Sequence, residues 1–304
     1  MQNDCMFTTL ISPENLSTLL QGPQAPRIFD TSFDLTSPAA GEAQFAQAHL
    51  PGASYVHLER HLSSHGNAPR ASGGRHPLPT REAFAAWLDA VGVGPHTQVV
   101  VYDRQGANYC GRLWWMLKWC GHEAVAVLDG GLQAWQAMGG ATESGPATDP
   151  TTDAPGGFVL NAPLAQLVVT QDIARRLGDP AVTVVDARAG ARFQGEVEPL
   201  DPVAGHIPGA LNRPFAENIG ANGRFKQAEQ LRAEFGALLD GRDAATVVHH
   251  CGSGVSAIPN LLGMELAGLG RSALYAGSWS EWCNTPGLPC AQSQVPAPSA
   301  DNPH

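Results

Sequence analysis

The chain has 304 residues, 43% hydrophobic and 15% charged, which gives it enough apolar material for a full core and excludes global disorder. A formal net charge of -10 excludes a chain-wide basic footprint for nucleic acid, and no uncharged apolar run approaches the ~18 residues of a membrane span. Six cysteines, far apart in a chain too long to need staples, read as thiols of a cytoplasmic protein rather than a disulfide framework.

The N-terminus, MQNDCMFTTLISPENLS, has an Asp and no basic run, unlike a signal peptide. An apolar run ends at Ile28-Phe29-Asp30, and HLPGA follows at His49 to Ala53. TREAFAAWLDAVG, Thr80 to Gly92, predicts a helix with a Thr cap, Phe84, Trp87 and Leu88 on one face, and a Gly stop. QVVVYDRQG, Gln98 to Gly106, reads as a strand and turn. CGRLWWMLKWCG, Cys110 to Gly121, predicts a helix apolar on most faces, suited to packing on a sheet. AVAVLDGGLQAW follows at Ala124 to Trp135. A small, polar, Pro-rich stretch then predicts a linker over 144–164.

The second half repeats the order. Helices are expected at Gln171 to Gly178 and Ala228 to Gly241. Val184-Val185-Asp186 matches the first Asp-ending run, and HIPGA, His206 to Ala210, matches HLPGA. ATVVHHCGSG, Ala245 to Gly254, matches the Gln98 segment, and RSALYAGSWSEW, Arg271 to Trp282, matches the Ala124 segment. Four elements recurring in one order indicate a duplicated domain. The expected organisation is an α/β chain with domains over 1–143 and 165–290 and a frayed tail over 291–304, each domain a parallel sheet with helices on both faces.

One junction carries the chemistry. In TVVHHCGSGVSA, Thr246 to Ala257, a strand reaches the surface, a cysteine opens a glycine-rich turn, and a helix is expected over Gly254 to Gly270, with Pro259 near its start. Ligand sites in parallel sheets lie beyond the carboxyl ends of the strands. Gly252 and Gly254 let successive N–H groups turn inward as a nest, and the helix N-terminus adds partial positive charge. Both favour an anionic sulfur at Cys251 and an anionic substrate group beside it. A buried, inert cysteine is the bland alternative; that reading is kept for Cys5, Cys110, Cys120, Cys283 and Cys290, which have no such loop. A cysteine phosphatase needs an arginine where Ala257 stands, and a metal site built on His249, His250 and Cys251 lacks a CxxC or HxxxH partner. In the first half the matching position is Asp103, so only the second domain has the nucleophile.

FAQAHLPGASYV (Phe45 to Val56), VVDAR, GHIPGA, LYAGSWSEW (Leu274 to Trp282) and the cysteine loop together resemble the tandem-domain rhodanese-type sulfurtransferases. The resemblance covers nearly the whole chain and implies two rhodanese-like domains, the first inactive and the second catalytic. CGSGVSA looks like the CGSGVTA loop of 3-mercaptopyruvate sulfurtransferases, with Ser256 for Thr, whereas thiosulfate enzymes typically carry CRKGVTA. By the same resemblance Cys251 is the nucleophile; Gly252, Gly254 and Val255 form the substrate loop; Arg192 binds substrate, with Arg188 beside it bracing the loop. Ser253, His76 (RHPLP) and Glu59 (HLERHLS) fall on a serine–histidine–acid relay spanning both domains. A second substrate arginine of the animal enzymes is missing: Asp201 stands at about its place, and Arg213 is a possible substitute. The implied reaction moves sulfane sulfur from 3-mercaptopyruvate, through a Cys251 persulfide, to a small thiol, cyanide or a dithiol protein such as thioredoxin. No metal or organic cofactor, nucleic acid or membrane partner is implied. The rival readings are a thiosulfate:cyanide sulfurtransferase and a non-catalytic rhodanese-like binding module, the latter usually lacking the cysteine.

Overall fold

The computed structural model describes residues 6–292. Cys5 and all but two residues of the expected tail lie outside them. Among the described residues, ten short strands form two sheets: β1 (Leu10–Ile11), β2 (Arg27–Asp30), β3 (Ser54–Tyr55), β4 (Val99–Tyr102) and β5 (Val125–Leu128); then β6 (Leu167–Val168), β7 (Thr183–Asp186), β8 (Leu211–Asn212), β9 (Val247–His250) and β10 (Ala273–Tyr275). Every strand pair is parallel. The orders β1-β5-β4-β2-β3 and β6-β10-β9-β7-β8 are the same order twice, so the duplication seen in the sequence is a duplication of topology. The central strands are buried along their whole length, as a sheet covered on both faces requires.

The helices form where apolar spacing and caps coincide. Thr80 caps Arg81–Ala90 by accepting from the Ala83 amide, and Phe84 and Leu88 are buried. Cys110–Trp119 is buried on every face, Arg112 and Lys118 included. Its neighbour across the domain boundary is Ile258–Leu266, and Gly111 makes that approach possible: a Cβ there would meet the Ile258 side chain at 3.0 Å. One apolar cluster accordingly runs through both domains, joining Trp115 and Leu113 to Ile258, Leu262 and Cys251 itself.

Two expectations shift. The helix read from Gly254 starts only at Ile258, with Pro259 in its first turn, because the intervening residues stay in the loop. The segment over 144–164 has no regular structure but lies along the first domain. Its amides at Thr152, Gly156, Asn161 and Leu164 donate to carbonyls of Ala90, Asp89, Cys120 and Lys118.

Candidate active site

Cys251 follows β9 directly and is 1% exposed. Its amide donates to Ser278 Oγ (3.1 Å), and its carbonyl accepts from the Trp279 amide (3.0 Å). The Gly252 carbonyl accepts from Ser280 (2.9 Å), so the short Ser278–Trp282 helix clamps the start of the loop. Gly254 has φ +74° and its Cα faces the Ala276 backbone, leaving no room for a Cβ. Among the described residues, no amide from Gly252 to Ala257 donates to a protein acceptor.

The first domain shows what such a loop is built to hold. There Asp103 occupies the cysteine's place, and its carboxylate accepts from the amides of Gln105 (2.9 Å), Ala107 (3.1 Å), Tyr109 (2.8 Å) and Cys110 (3.0 Å). Gly106, the counterpart of Gly254, is also left-handed, at φ +68°. The first-domain loop is thus an anion nest. It contains its own anion, whereas the second-domain loop begins with a cysteine and its amides donate to no described protein acceptor.

His76 comes from the first domain, is buried, and places Nδ1 2.7 Å from Ser253 Oγ. Burial, then the cations of Arg112 and Arg75, push its pKa down to about 3, so the imidazole is neutral at physiological pH. Glu59 lies elsewhere in the contact network. Its amide donates to His57 Nδ1 and its carbonyl contacts His65, but its carboxylate has no hydrogen bond to His76. Among the described residues, His76 is joined to Ser253 without an orienting acid.

The arginines divide by role. Arg188 spends Nε, Nη1 and Nη2 on Asp186, Glu198 and the Gly205 carbonyl, and stacks over Trp279 at 4.8 Å. These bonds tie it to its own domain's carboxylates and the Gly205 carbonyl, and use four of its five N–H donors. Arg192 is gripped by Glu198 through Nε and Nη2, and its Nη1 is turned towards Gly252. Arg213 does not fill the gap left by Asp201. It is buried over Phe235 (4.2 Å) and pairs with Glu234 (2.8 Å) and Asn218. His249 and His250 are fully buried, with His249 Nε2 against Met264 Sδ, and no group of three potential metal ligands exists among the described residues.

Two residues escaped the sequence reading. Arg112, wholly buried in a helix with no polar face, crosses between domains and donates to the carbonyls of Gly254 (3.1 Å), Leu62 (3.0 Å) and His76 (2.8 Å). Burial lowers its pKa to about 10. An arginine in the middle of an apolar, tryptophan-rich helix was the available signal. The other is Arg75, next to His76, which reaches Asp201 (2.7 Å) across the domain boundary. Beside them lies a cleft of about 470 Å³ lined by both domains.

The model of the rhodanese-like domain matches residues 12–138 and again residues 169–285. The chain belongs to the rhodanese family. It is 42% identical over 285 residues to a probable 3-mercaptopyruvate sulfurtransferase of Pseudomonas aeruginosa, covering 93% of this chain and 97% of that one. It is 39% identical over 287 residues to SseB of Mycobacterium tuberculosis, a putative thiosulfate sulfurtransferase, with 92% and 95% covered. Among solved structures, SseA of Escherichia coli, described as a 3-mercaptopyruvate sulfotransferase, superposes with a TM-score of 0.73 at 31% identity, covering 90% of this chain and all of that one. Relatives of nearly equal identity therefore carry different donor names, and the donor has to be argued from the rhodanese loop itself.

Proposed function

We propose that this rhodanese-family chain is a sulfurtransferase that draws sulfur from 3-mercaptopyruvate onto Cys251 and passes it to a thiophile. The observation that carries the reading is the loop: uncharged side chains at Gly252 and Ser253, free amides around the sulfur, and Ser253 2.7 Å from a neutral imidazole. Thiosulfate keeps its dianionic charge next to the transferring sulfur and would call for cations in the loop itself. Mercaptopyruvate carries its carboxylate several bonds away.

In the reaction, the Cys251 thiolate attacks the donor's sulfur. An S–S bond forms, the C–S bond breaks, and its electron pair leaves on carbon as the pyruvate enolate. The enolate carbon needs one proton, and the donor's thiol supplies one to the balance. That thiol proton enters one ring nitrogen of His76 as the other passes a proton to Ser253 and Ser253 protonates the enolate carbon, so the imidazole ends neutral. The persulfide anion left on Cys251 is held by the loop amides, as Asp103 is held in the first domain. An acceptor thiolate or cyanide then attacks the outer sulfur and regenerates Cys251. The acceptor is a small thiol, cyanide or a dithiol protein such as thioredoxin. A reducing, cytoplasmic setting suits the free cysteines 110, 120, 251, 283 and 290, and no described helix is long and apolar enough to cross a membrane.

Two measurements test this. Wild type incubated with mercaptopyruvate gains one outer sulfur by intact-mass spectrometry, and Cys251→Ser gains none and loses turnover. kcat/KM for mercaptopyruvate exceeds that for thiosulfate by about tenfold, a difference of ~1.4 kcal/mol in activation free energy. A higher value for thiosulfate turns the assignment to a thiosulfate:cyanide sulfurtransferase; no transfer from either donor leaves a binding module.

A further inference from the structure

The second arginine that the sequence lacks in the catalytic domain has a counterpart in the other one. Around Gly252 the second domain supplies two guanidiniums, Arg188 and Arg192, against three buried carboxylates, Asp186, Glu198 and Asp201. Left alone, that surface is negative and would repel a keto acid. Arg75 of the first domain restores the balance. Its Nη1 is fixed on Asp201 at 2.7 Å, and that carboxylate is only 3% exposed. Its Nη2 would lie 3.3 Å from a Cβ built on Gly252, beside Arg192 Nη1 at 3.5 Å. Two guanidiniums, each anchored by an acid at one end, thus flank the residue after the nucleophile from opposite domains.

The arginine's free donors point the same way. Among the described residues, Arg75 Nε is buried and has no hydrogen-bond partner, and the side chain's one hydrogen bond is that of Nη1 to Asp201. Asp201 Oδ2 is likewise buried and unpartnered, with Arg192 at 3.5 Å. A buried guanidinium nitrogen without an acceptor costs free energy unless a ligand supplies one. The backbone holds Arg75 in place: its amide donates to Ser280 Oγ at 3.0 Å, and Gly73 donates to Glu281 Oε2 at 3.2 Å, so the strand of chain before His76 is sewn to the Ser278–Trp282 helix. The guanidinium opens on the cleft that Leu200, Asp201 and Ser280 also line.

We propose that Arg75 is a substrate-binding residue: with Arg192 it clamps the carboxylate of an α-keto acid donor, and Asp201, at about the place of the missing arginine, serves to hold Arg75. The assignment rests on the sulfurtransferase reading for the donor's identity. The clamp itself is a monocarboxylate site made only when the two domains are together.

The experiment uses the full chain in four forms: wild type, Arg75→Ala, Arg75→Lys and Arg192→Ala, each first checked for an unchanged melting transition. Pyruvate binding is measured by calorimetry on each, since it needs no turnover. KM and kcat are then measured with 3-mercaptopyruvate and with mercaptoacetone, which lacks the carboxylate. Arg75→Ala is expected to weaken pyruvate binding and raise the mercaptopyruvate KM at least about tenfold, the value of a charge-assisted hydrogen bond. Its kinetics with mercaptoacetone stay within about twofold of wild type. Arg75→Lys, which keeps charge but not the fork, falls between. If Arg75 were only an interdomain tie, both donors would suffer alike, and the proposal fails. It fails also if wild type binds no pyruvate or if Arg75→Ala binds it unchanged. Arg75-dependent pyruvate binding without sulfur transfer from mercaptopyruvate would keep the clamp and overturn the donor reading instead.

Discussion

His76 shows how burial decides what a side chain can do. With its pKa pushed down to about 3, it is no reservoir of positive charge and works only as a neutral partner to Ser253. Thiosulfate departs as sulfite, which needs no proton on carbon; mercaptopyruvate departs as an enolate, which does. His76→Ala should therefore cut mercaptopyruvate turnover by about a hundredfold and thiosulfate turnover far less, in steady-state assays with both donors. Equal losses would mean that His76 merely shapes the pocket. Glu59→Gln should stay within about twofold for both donors, because its carboxylate does not reach the histidine. Cys251, Ser253 and Arg192 stand in short runs whose pattern is local in sequence, so they were available as candidates. Arg75 was not, because its meaning comes from Asp201, which lies 126 residues away in sequence.

At the level of the element, the turn before the Ser278–Trp282 helix carries a cost. Ser278 has φ +57°, where the first domain places Gly131 at φ +58°. A side chain there costs about 1 kcal/mol, and the hydroxyl offsets it by accepting from the Cys251 amide and donating to the Tyr275 carbonyl (2.9 Å). Ser278→Gly relieves the strain and loses the bonds, so its stability should lie near wild type. Ser278→Ala keeps the strain and loses the bonds, and should be about 1–2 kcal/mol less stable, measured by urea unfolding. Parity of Ala and Gly would show that the backbone is relaxed there. Strands and most helices were legible because burial of Val-rich runs and capped amphipathic segments is written in residue spacing. The start of the Ile258–Leu266 helix was not. Apolar periodicity says where a helix can bury a face, but the amides of residues 252–257 do not enter a helical ladder.

Across the whole molecule, the two domains share one apolar cluster and the Arg112 bridge, so they are expected to unfold as one unit. Two histidines held neutral inside it, His76 and His249, have pKa values lowered to about 3, both chiefly by burial. In the unfolded chain each titrates near 6.5. The unfolded state therefore binds more protons between about pH 6.5 and pH 3, and stability is full above 6.5 and falls as the solution is acidified. The slope should be about 1.4 kcal/mol per pH unit for each histidine, seen as a falling Tm between pH 7 and pH 5. A flat Tm across that range would mean that neither ring is held neutral by burial, and half the slope that only one is.

The Asp103 loop has a consequence for stoichiometry. Duplication gave the chain two equivalent receptors for an anion, and one of them is permanently self-occupied by a covalently attached carboxylate held by four amides. Its fill cannot exchange, so it contributes nothing to any titration with sulfide, cyanide or donor. On the proposed reading, sulfur loading therefore saturates at one equivalent per chain, because the first domain carries a carboxylate where the second carries the thiol.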